Sequence, residues 1–148
     1  QTVKLSAKEY YDELNKVRRN LLVRFGDREE FGWHLPDADI VIYEPTNCKV
    51  LAILSSKVTL RERIAQTGYW KIKLSQDKLT KDIRVFFLTP DEDSTLTTRI
   101  PTKKARAIVE VDTDGAYVMS EETIEASDKV KSFDQFMNDL RRLLNTTK

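Results

Sequence analysis

The sequence predicts an α+β fold in which a mixed central β-sheet is flanked by helices, in an α/β/α-like arrangement. Capping-box patterns at Ser6–Glu9 and Ser132–Gln135 each precede an amphipathic segment, which indicates a helix near each end of the chain. Between them, short runs rich in β-branched residues indicate strands, and two of these runs are joined by turn-forming residues. The predicted order of elements is α-β-β-β-α-β-β-β-α.

The first half of the chain is expected to hold a helix, a loop and a hairpin. The first helix should run to about Arg24, because apolar residues recur at helical spacing and Gly26 follows. A loop comes next, with a short strand expected near residues 31–35. Residues 40–43 and 50–54 are apolar runs separated by the turn segment EPTNCK, so they predict a β-hairpin.

The second half predicts a helix, a strand and a long polar loop before a second hairpin. The runs RAIVEV and AYVM would form that hairpin, with Asp114 and Gly115 at its tip, and a final helix would follow. The expected bounds are 59–74 for the helix, 83–88 for the strand, 90–104 for the loop, and 106–111 and 116–119 for the hairpin strands.

The composition indicates the size and class of the domain but does not identify its function. The chain suits a single domain over residues 1–148, with 25 Lys plus Arg, 24 Asp plus Glu and a net charge of +1. This balance neither requires nor excludes nucleic acid, which needs only a local basic surface. With Cys48 as the single cysteine and no run of about 18 apolar residues, we expect a cytoplasmic protein without a membrane segment. Because the chain begins at Gln1, we expect a trimmed chain or a fragment of a longer enzyme.

Four polar residues lie at the ends of the predicted hairpin strands. Asp37 and Asp39 precede the first strand, and Ser55 and Lys57 lie at the end of the second. Antiparallel pairing would place the two pairs opposite each other, and side-chain alternation would place the members of each pair on one face. Carboxylates beside an ammonium group suit a site for a divalent cation and an activated water.

This arrangement resembles the PD-(D/E)XK nucleases, in which Pro-Asp, a strand, a turn and a second strand precede a lysine. The segment LRERIAQTGYW, Leu60–Trp70, is similar to the helix that follows this lysine in BsaWI-like type II restriction endonucleases. The resemblance covers about residues 30–90 and implies a restriction-endonuclease-like core. It also implies a metal-dependent endonuclease that uses Mg²⁺ and cuts double-stranded DNA as a homodimer.

The resemblance further implies a role for each residue of the motif. Asp37 would be the main Mg²⁺ ligand, with Asp39 or Glu62 as the second. Lys57 would orient or deprotonate the attacking water and offset charge on the phosphate. Ser55 stands where the family usually carries Asp or Glu, so Glu62 is the nearest substitute for the missing acid.

Each of these residues also has a structural interpretation. Aspartates before a strand commonly form turns, and a lysine after a strand is common in polar loops. Thr59 and Glu62 form a capping-box pattern of their own. Arg63 lies one turn into the predicted helix, where its guanidinium could bind a scissile phosphate through two nitrogens or simply be solvated.

Basic residues near this edge are the candidate DNA contacts. They follow the second predicted helix or lie in the long loop, and a loop of that length inside a compact domain usually serves a function. Charged clusters are also commonly no more than solvated surface. The candidates are Lys71, Lys73, Arg99, Lys103 and Lys104, with Arg106 at the end of the loop.

Three functions are compatible with these patterns. The first is a Mg²⁺-dependent DNA endonuclease or its catalytic domain. The second is a degenerate nuclease fold that binds DNA or a protein without cutting, which the serine at the usual acid position would explain. The third is an unrelated α+β interaction module whose hairpin imitates the motif, and a different strand order would reveal it.

Overall fold

The structure is a computed structural model that describes residues 6–61 and 63–146. Within those ranges, no helix is long and apolar enough to cross a bilayer. The helices are α1 (Ala7–Arg19), α2 (Ile64–Ser75), α3 (Lys104–Asp112) and α4 (Phe136–Asn145). The strands are β1 (Val23–Arg24), β2 (Trp33–His34), β3 (Ile40–Glu44), β4 (Lys49–Ser56), β5 (Arg84–Thr89), β6 (Gly115–Val118) and β7 (Val130–Ser132).

Five strands form one mixed sheet in the order β3-β4-β5-β6-β7. β3 and β4 pair antiparallel, with Ile40 opposite Leu54. From β4 to β7, neighbouring strands are parallel. The predicted first hairpin and the mixed sheet flanked by helices are therefore confirmed. β1 and β2 form a separate two-stranded antiparallel sheet.

Helices cover both faces of the five-stranded sheet. On one face, Val17 of α1 packs with Ile53 of β4, and Val109 of α3 lies in a second buried cluster. On the opposite face, Leu54 lies in a cluster against which Phe136 of α4 packs. Successive residues of a strand point to opposite faces, so β4 contributes to both layers.

The second predicted hairpin is wrong. The run RAIVEV belongs to α3, and β6 pairs parallel with β5 instead of turning back on a neighbour. Ala105 and Val109 are both buried and four residues apart, as expected for one helix face. Gly115 is required by a close approach rather than by a turn, since its φ is 143° and a Cβ there would lie 2.3 Å from Lys129 O.

The predicted helix starts are confirmed at one end of the chain only. At α1, Ser6 Oγ accepts from Glu9 N (3.3 Å) and Ser6 N donates to Glu9 Oε2 (2.9 Å), so the first capping box forms. Ser132 makes no side-chain capping bond, and a short 3₁₀ turn precedes α4. α2 begins at Ile64 instead of near Thr59. The residues before α2 are therefore free to line a cavity.

Asp114 links α2 to the sheet through a buried ion-pair cluster. Its Oδ2 accepts from Lys71 Nζ (2.7 Å) and Val85 N (2.8 Å), and its Oδ1 accepts from Arg84 Nη1 (2.9 Å). Burial alone would raise the pKa of the Asp114 carboxyl. The hydrogen bonds from Lys71, Val85 and Arg84 outweigh that effect and hold the pKa below its ordinary value.

We expect Asp114→Asn to lower the free energy of unfolding at neutral pH by about 3 kcal/mol, because Lys71 would lose its charged partner in a largely buried position. A lowered folded-state pKa stabilises the fold above the unfolded pKa of about 3.9, and this contribution is lost as the pH falls through the folded value. Urea denaturation from about pH 7 to about pH 3 should therefore show the two proteins converging. A difference in stability that is independent of pH would contradict this prediction.

Candidate active site

The first hairpin brings Asp39 into contact with Lys57. Asp39 lies directly before β3, and its N–H donates to Leu54 O (3.0 Å) at the end of the antiparallel pair. Its Oδ2 accepts hydrogen bonds from Ser56 N (2.7 Å) and Lys57 Nζ (3.2 Å). The register of β3 against β4 therefore decides which aspartate meets the lysine.

Lys57 is held on its other side by β5. Its N–H donates to Leu88 O (3.0 Å), which continues the parallel pairing just beyond the end of β4. The Lys57 side chain is 11% exposed, whereas that of Asp39 is 44% exposed. The ammonium group thus lies mostly below the surface, and the carboxylate beside it is open to solvent.

The surroundings of Asp39 favour its ionised form. The hydrogen bond from Ser56 N lowers the pKa of Asp39 most, and slight burial opposes it. The Lys57 ammonium and the Arg63 guanidinium lower this pKa further. The carboxylate is therefore available as an anionic oxygen ligand at neutral pH.

A cavity of about 590 Å³ adjoins this pair, between the end of β4 and the start of α2. Two guanidinium groups and one ammonium group line it, against one carboxylate from the described part of the chain. Such a cavity attracts an anion such as a phosphodiester, which an arginine can bind through two nitrogens. Its lining residues are Asp39, Ser56, Lys57, Val58, Thr59, Arg61 and Arg63.

Two residues of the predicted site, Asp37 and Ser55, do not line this cavity in the described structure. Asp37 is exposed, and its carboxylate makes no hydrogen bond or ion pair with any described residue. Ser55 is 3% exposed and lies beside Phe87 of β5, while its neighbour Ser56 reaches the cavity. Glu62 lies outside the described residues. The roles assigned to these three residues stay predictions.

Two of the candidate DNA contacts have structural partners. Besides its ion pair with Asp114, Lys71 Nζ donates to Ile83 O (3.0 Å). Lys73 Nζ lies 5.3 Å from the centre of the Phe25 ring, at cation–π distance. Both ammonium groups thus join α2 to neighbouring segments, and their positions favour structural roles over DNA contact.

The candidates from the long loop divide into exposed and buried residues. Arg99, Lys103 and Lys104 are exposed, the last at the start of α3, and stay candidates for DNA contact. The expectation for Arg106 is wrong, since its side chain is fully buried. Its guanidinium donates to Leu96 O (2.6 Å) and to a second backbone carbonyl, so it ties the loop to α3.

The sequence interpretation missed the pairing of Arg61 with Asp93. Arg61 lines the cavity, and its Nε lies 3.6 Å from Asp93 Oδ2. The motif LRER signals a basic segment, but nothing in the sequence pairs it with an aspartate of the long loop. The hydrogen bond from Ser56 N to Asp39 could not be predicted from the sequence either, because every residue except proline has a backbone N–H.

The donor set of the cavity fits a cation that keeps part of its water shell. Asp39 Oδ1 accepts no hydrogen bond from the described residues, so it is free to coordinate. Over residues 6–61 and 63–146, no three His, Cys, Asp or Glu side chains are grouped to hold a metal. A closed structural zinc site does not match this set. One free carboxylate oxygen at an open cavity is compatible with a hard divalent cation that retains several waters.

A family model and two curated relatives match the sequence of this chain. The family model of BsaWI restriction endonuclease type 2 matches residues 13–140. The candidate type II restriction enzyme MjaVIP of Methanocaldococcus jannaschii is 37% identical over 134 residues, which cover 87% of this chain and 57% of that protein. HpyAORF263P of Helicobacter pylori, also a candidate type II restriction enzyme, is 46% identical over 91 residues, 60% of this chain and 44% of that protein. This chain thus spans about half the length of these curated relatives.

A solved complex of restriction endonuclease PspGI with substrate DNA matches 64% of this chain and 41% of the PspGI chain, at 20% identity and a TM-score of 0.45. The sequence matches, rather than this structural one, decide the assignment. The matched range of the family model covers most of the chain and includes Asp39, Lys57 and Arg63. The chain belongs to the BsaWI family of type 2 restriction endonucleases.

Proposed function

We propose that this chain carries the active site of a type II restriction endonuclease that hydrolyses phosphodiester bonds of double-stranded DNA with Mg²⁺. The observation that carries the proposal is the contact of Asp39 Oδ2 with Lys57 Nζ (3.2 Å) at the edge of a cationic cavity. Family membership supplies the prior expectation of DNA cleavage. We place the enzyme in the cytoplasm, where it would meet incoming DNA.

Each residue of the cavity has a distinct part in this reaction. Arg63 binds a non-bridging oxygen of the scissile phosphate and helps to place it. Lys57 donates a hydrogen bond to the same phosphate or to the attacking water, and it offsets the negative charge that develops in the transition state. Asp39 orients the Lys57 ammonium and presents its free Oδ1 as a cation ligand.

Mg²⁺, when bound, would supply charge stabilisation for the attacking and leaving oxygens. Asp39 Oδ1 would hold it together with water and the phosphate itself. Glu62 remains the candidate for a second carboxylate ligand, since Asp37 does not line the cavity.

Cutting both strands of a duplex needs two such sites. A homodimer with two-fold symmetry would place one site on each strand, since the two strands are themselves related by a two-fold axis. We therefore propose a homodimer as the active species. Arg99, Lys103 and Lys104 would contact the backbone near each site.

Plasmid and genomic DNA incubated with the protein and Mg²⁺ should give discrete fragments, and EDTA should abolish them. The metal is expected to be required because the proposed reaction uses a cation, held at the free Oδ1 of Asp39, to stabilise the attacking and leaving oxygens. Gel electrophoresis with and without EDTA measures both effects. DNA that stays intact at every divalent metal and pH would contradict the proposal.

The second candidate is a degenerate nuclease fold that binds DNA without cutting. Ser55 favours it, because a buried serine stands at the position where the motif usually has an acid. Binding of duplex DNA without cleavage would identify this case. The third interpretation, an unrelated interaction module, is wrong because the chain belongs to the BsaWI family.

A further inference from the structure

A second cavity lies next to the candidate active site and is also lined by cations. It has a volume of about 310 Å³ and is formed by the start of α2, the long loop and the start of α3. Arg61 lines both cavities and is the described residue that they share. We call this second cavity the basic groove; its charged lining residues are Arg61, Lys103 and Lys104.

One turn of the long loop holds two of these cations. Arg61 Nε lies 3.6 Å from Asp93 Oδ2, and Lys103 Nζ donates to Ser94 O (2.8 Å). Because Asp93 engages Arg61 at Nε, both terminal nitrogens of the guanidinium remain available for another anion. Two adjacent loop residues thus orient two cations on one groove.

This turn is itself rigidly built. The buried Asp91 carboxylate accepts from Thr95 N (2.9 Å), Thr95 Oγ1 (2.8 Å) and Leu96 N (2.8 Å). Glu92 N donates to Val58 O (3.4 Å), which ties the turn to the segment beside Lys57. The groove is therefore fixed relative to the active site.

The position of the Asp93 carboxylate is energetically unfavourable in the described structure. Its side chain is 7% exposed, yet its Oδ2 receives no hydrogen bond from any described residue. Among the described residues its Oδ1 accepts one long hydrogen bond, from Thr95 Oγ1 (3.5 Å), so this buried carboxylate is poorly satisfied, and the mostly exposed Arg61 is its ion-pair partner. Lys103 and Lys104 also lie at the positive amino end of α3, where like charge is unfavourable without an anion.

We propose that the basic groove binds a non-scissile phosphate of the DNA strand whose scissile phosphate occupies the active site, and that Asp93 positions Arg61 for this contact. The proposal rests on the proposed DNA endonuclease function. Arg61 lines both cavities, so one strand can pass from Arg63 and Lys57 along Arg61 to Lys103 and Lys104. Arg61 is a binding residue, and Asp93 is a positioning residue that does not touch DNA.

The test is the salt dependence of binding to a short mixed-sequence DNA duplex, measured in EDTA so that no cleavage occurs. Arg61→Ala should weaken binding about tenfold and reduce the slope of log affinity against log salt concentration by about 0.9, the value for one phosphate contact. Arg141→Ala is the matched control, because Arg141 is an exposed arginine of α4 on the other face of the sheet. It should leave the affinity and the slope unchanged.

The Asp93→Asn variant tests whether Asp93 acts by positioning Arg61 or only through the repulsion between its negative charge and DNA. Removing a negative charge near DNA would strengthen binding if charge alone mattered. The proposal predicts weaker binding by about threefold or more, and no further loss when Asp93→Asn is added to Arg61→Ala. Thermal melting of each variant establishes that the tested protein is folded.

Failure of the groove proposal and failure of the proposed function give different experimental results. If the unmodified protein cleaves DNA but Arg61→Ala keeps the original slope, or Asp93→Asn binds more tightly, the groove proposal is overturned alone. If the folded, unmodified protein neither binds nor cleaves duplex DNA, the proposed function and the groove proposal are both overturned.

Discussion

Asp39→Asn is expected to lower the rate of DNA cleavage by at least about a thousandfold. The substitution removes the anionic oxygen proposed to hold Mg²⁺, and charge stabilisation by such a cation is worth several kcal/mol. The asparagine Oδ1 can still accept from Ser56 N, so the hairpin should remain intact. Single-turnover cleavage at saturating Mg²⁺ measures the rate, and thermal melting checks the fold.

Asp37→Asn is the matched comparison, because it removes the same charge two residues earlier in the chain. Asp37 is exposed and has no partner among the described residues, so we expect a change of about twofold at most. The motif alone points to Asp37 as the main ligand, whereas the geometry points to Asp39. A large loss in Asp37→Asn with little loss in Asp39→Asn would reverse this assignment.

Lys57→Ala is expected to reduce the cleavage rate by about 10²–10³-fold. This is the usual effect of removing one preorganised donor from a transition state with developing negative charge. Asp39 keeps its bond from Ser56 N, and the Lys57 backbone keeps its bond to Leu88 O, so the fold should persist. The measurement is the single-turnover rate, with DNA affinity determined separately in EDTA.

Lys57→Met serves as a second variant, because it keeps most of the buried aliphatic stem while removing the charge. If both variants lose activity equally, the ammonium group and not the packing of the stem is responsible. Cleavage by Lys57→Met at close to the original rate would show that Lys57 has no part in the chemistry.

Local sequence patterns are sufficient to predict the secondary-structure elements around the active site. The apolar runs of β3 and β4 and the turn residues between them predict the hairpin, because pairing of adjacent strands is a short-range event. The Ser6 capping box likewise forms within a single helical turn. The position of Lys57, directly after β4, follows from the same local pattern.

Local patterns failed where a segment's partner is distant in sequence. The β-branched residues of α3 favour a strand by propensity, but burial of Ala105 and Val109 against the sheet makes the segment helical. β6 finds its partner in β5 across α3, so its parallel pairing has no sequence signature like that of a hairpin. Arg106 has the sequence context of a surface cation, but its guanidinium is buried because backbone carbonyls distant in sequence accept its hydrogen bonds.

The family motif, the hairpin, and the carboxylates and lysine at its open end can all be identified from the order of residues alone. The contact of Asp39 with Lys57 depends on the folded chain, because Asp37 and Asp39 occupy equivalent positions in the alternating pattern and the strand register separates them. The same holds for Arg61 and Asp93, which meet because the long loop folds back beside the start of α2. Side-chain identity and short spacings are encoded locally, but distances between segments depend on packing of the whole chain.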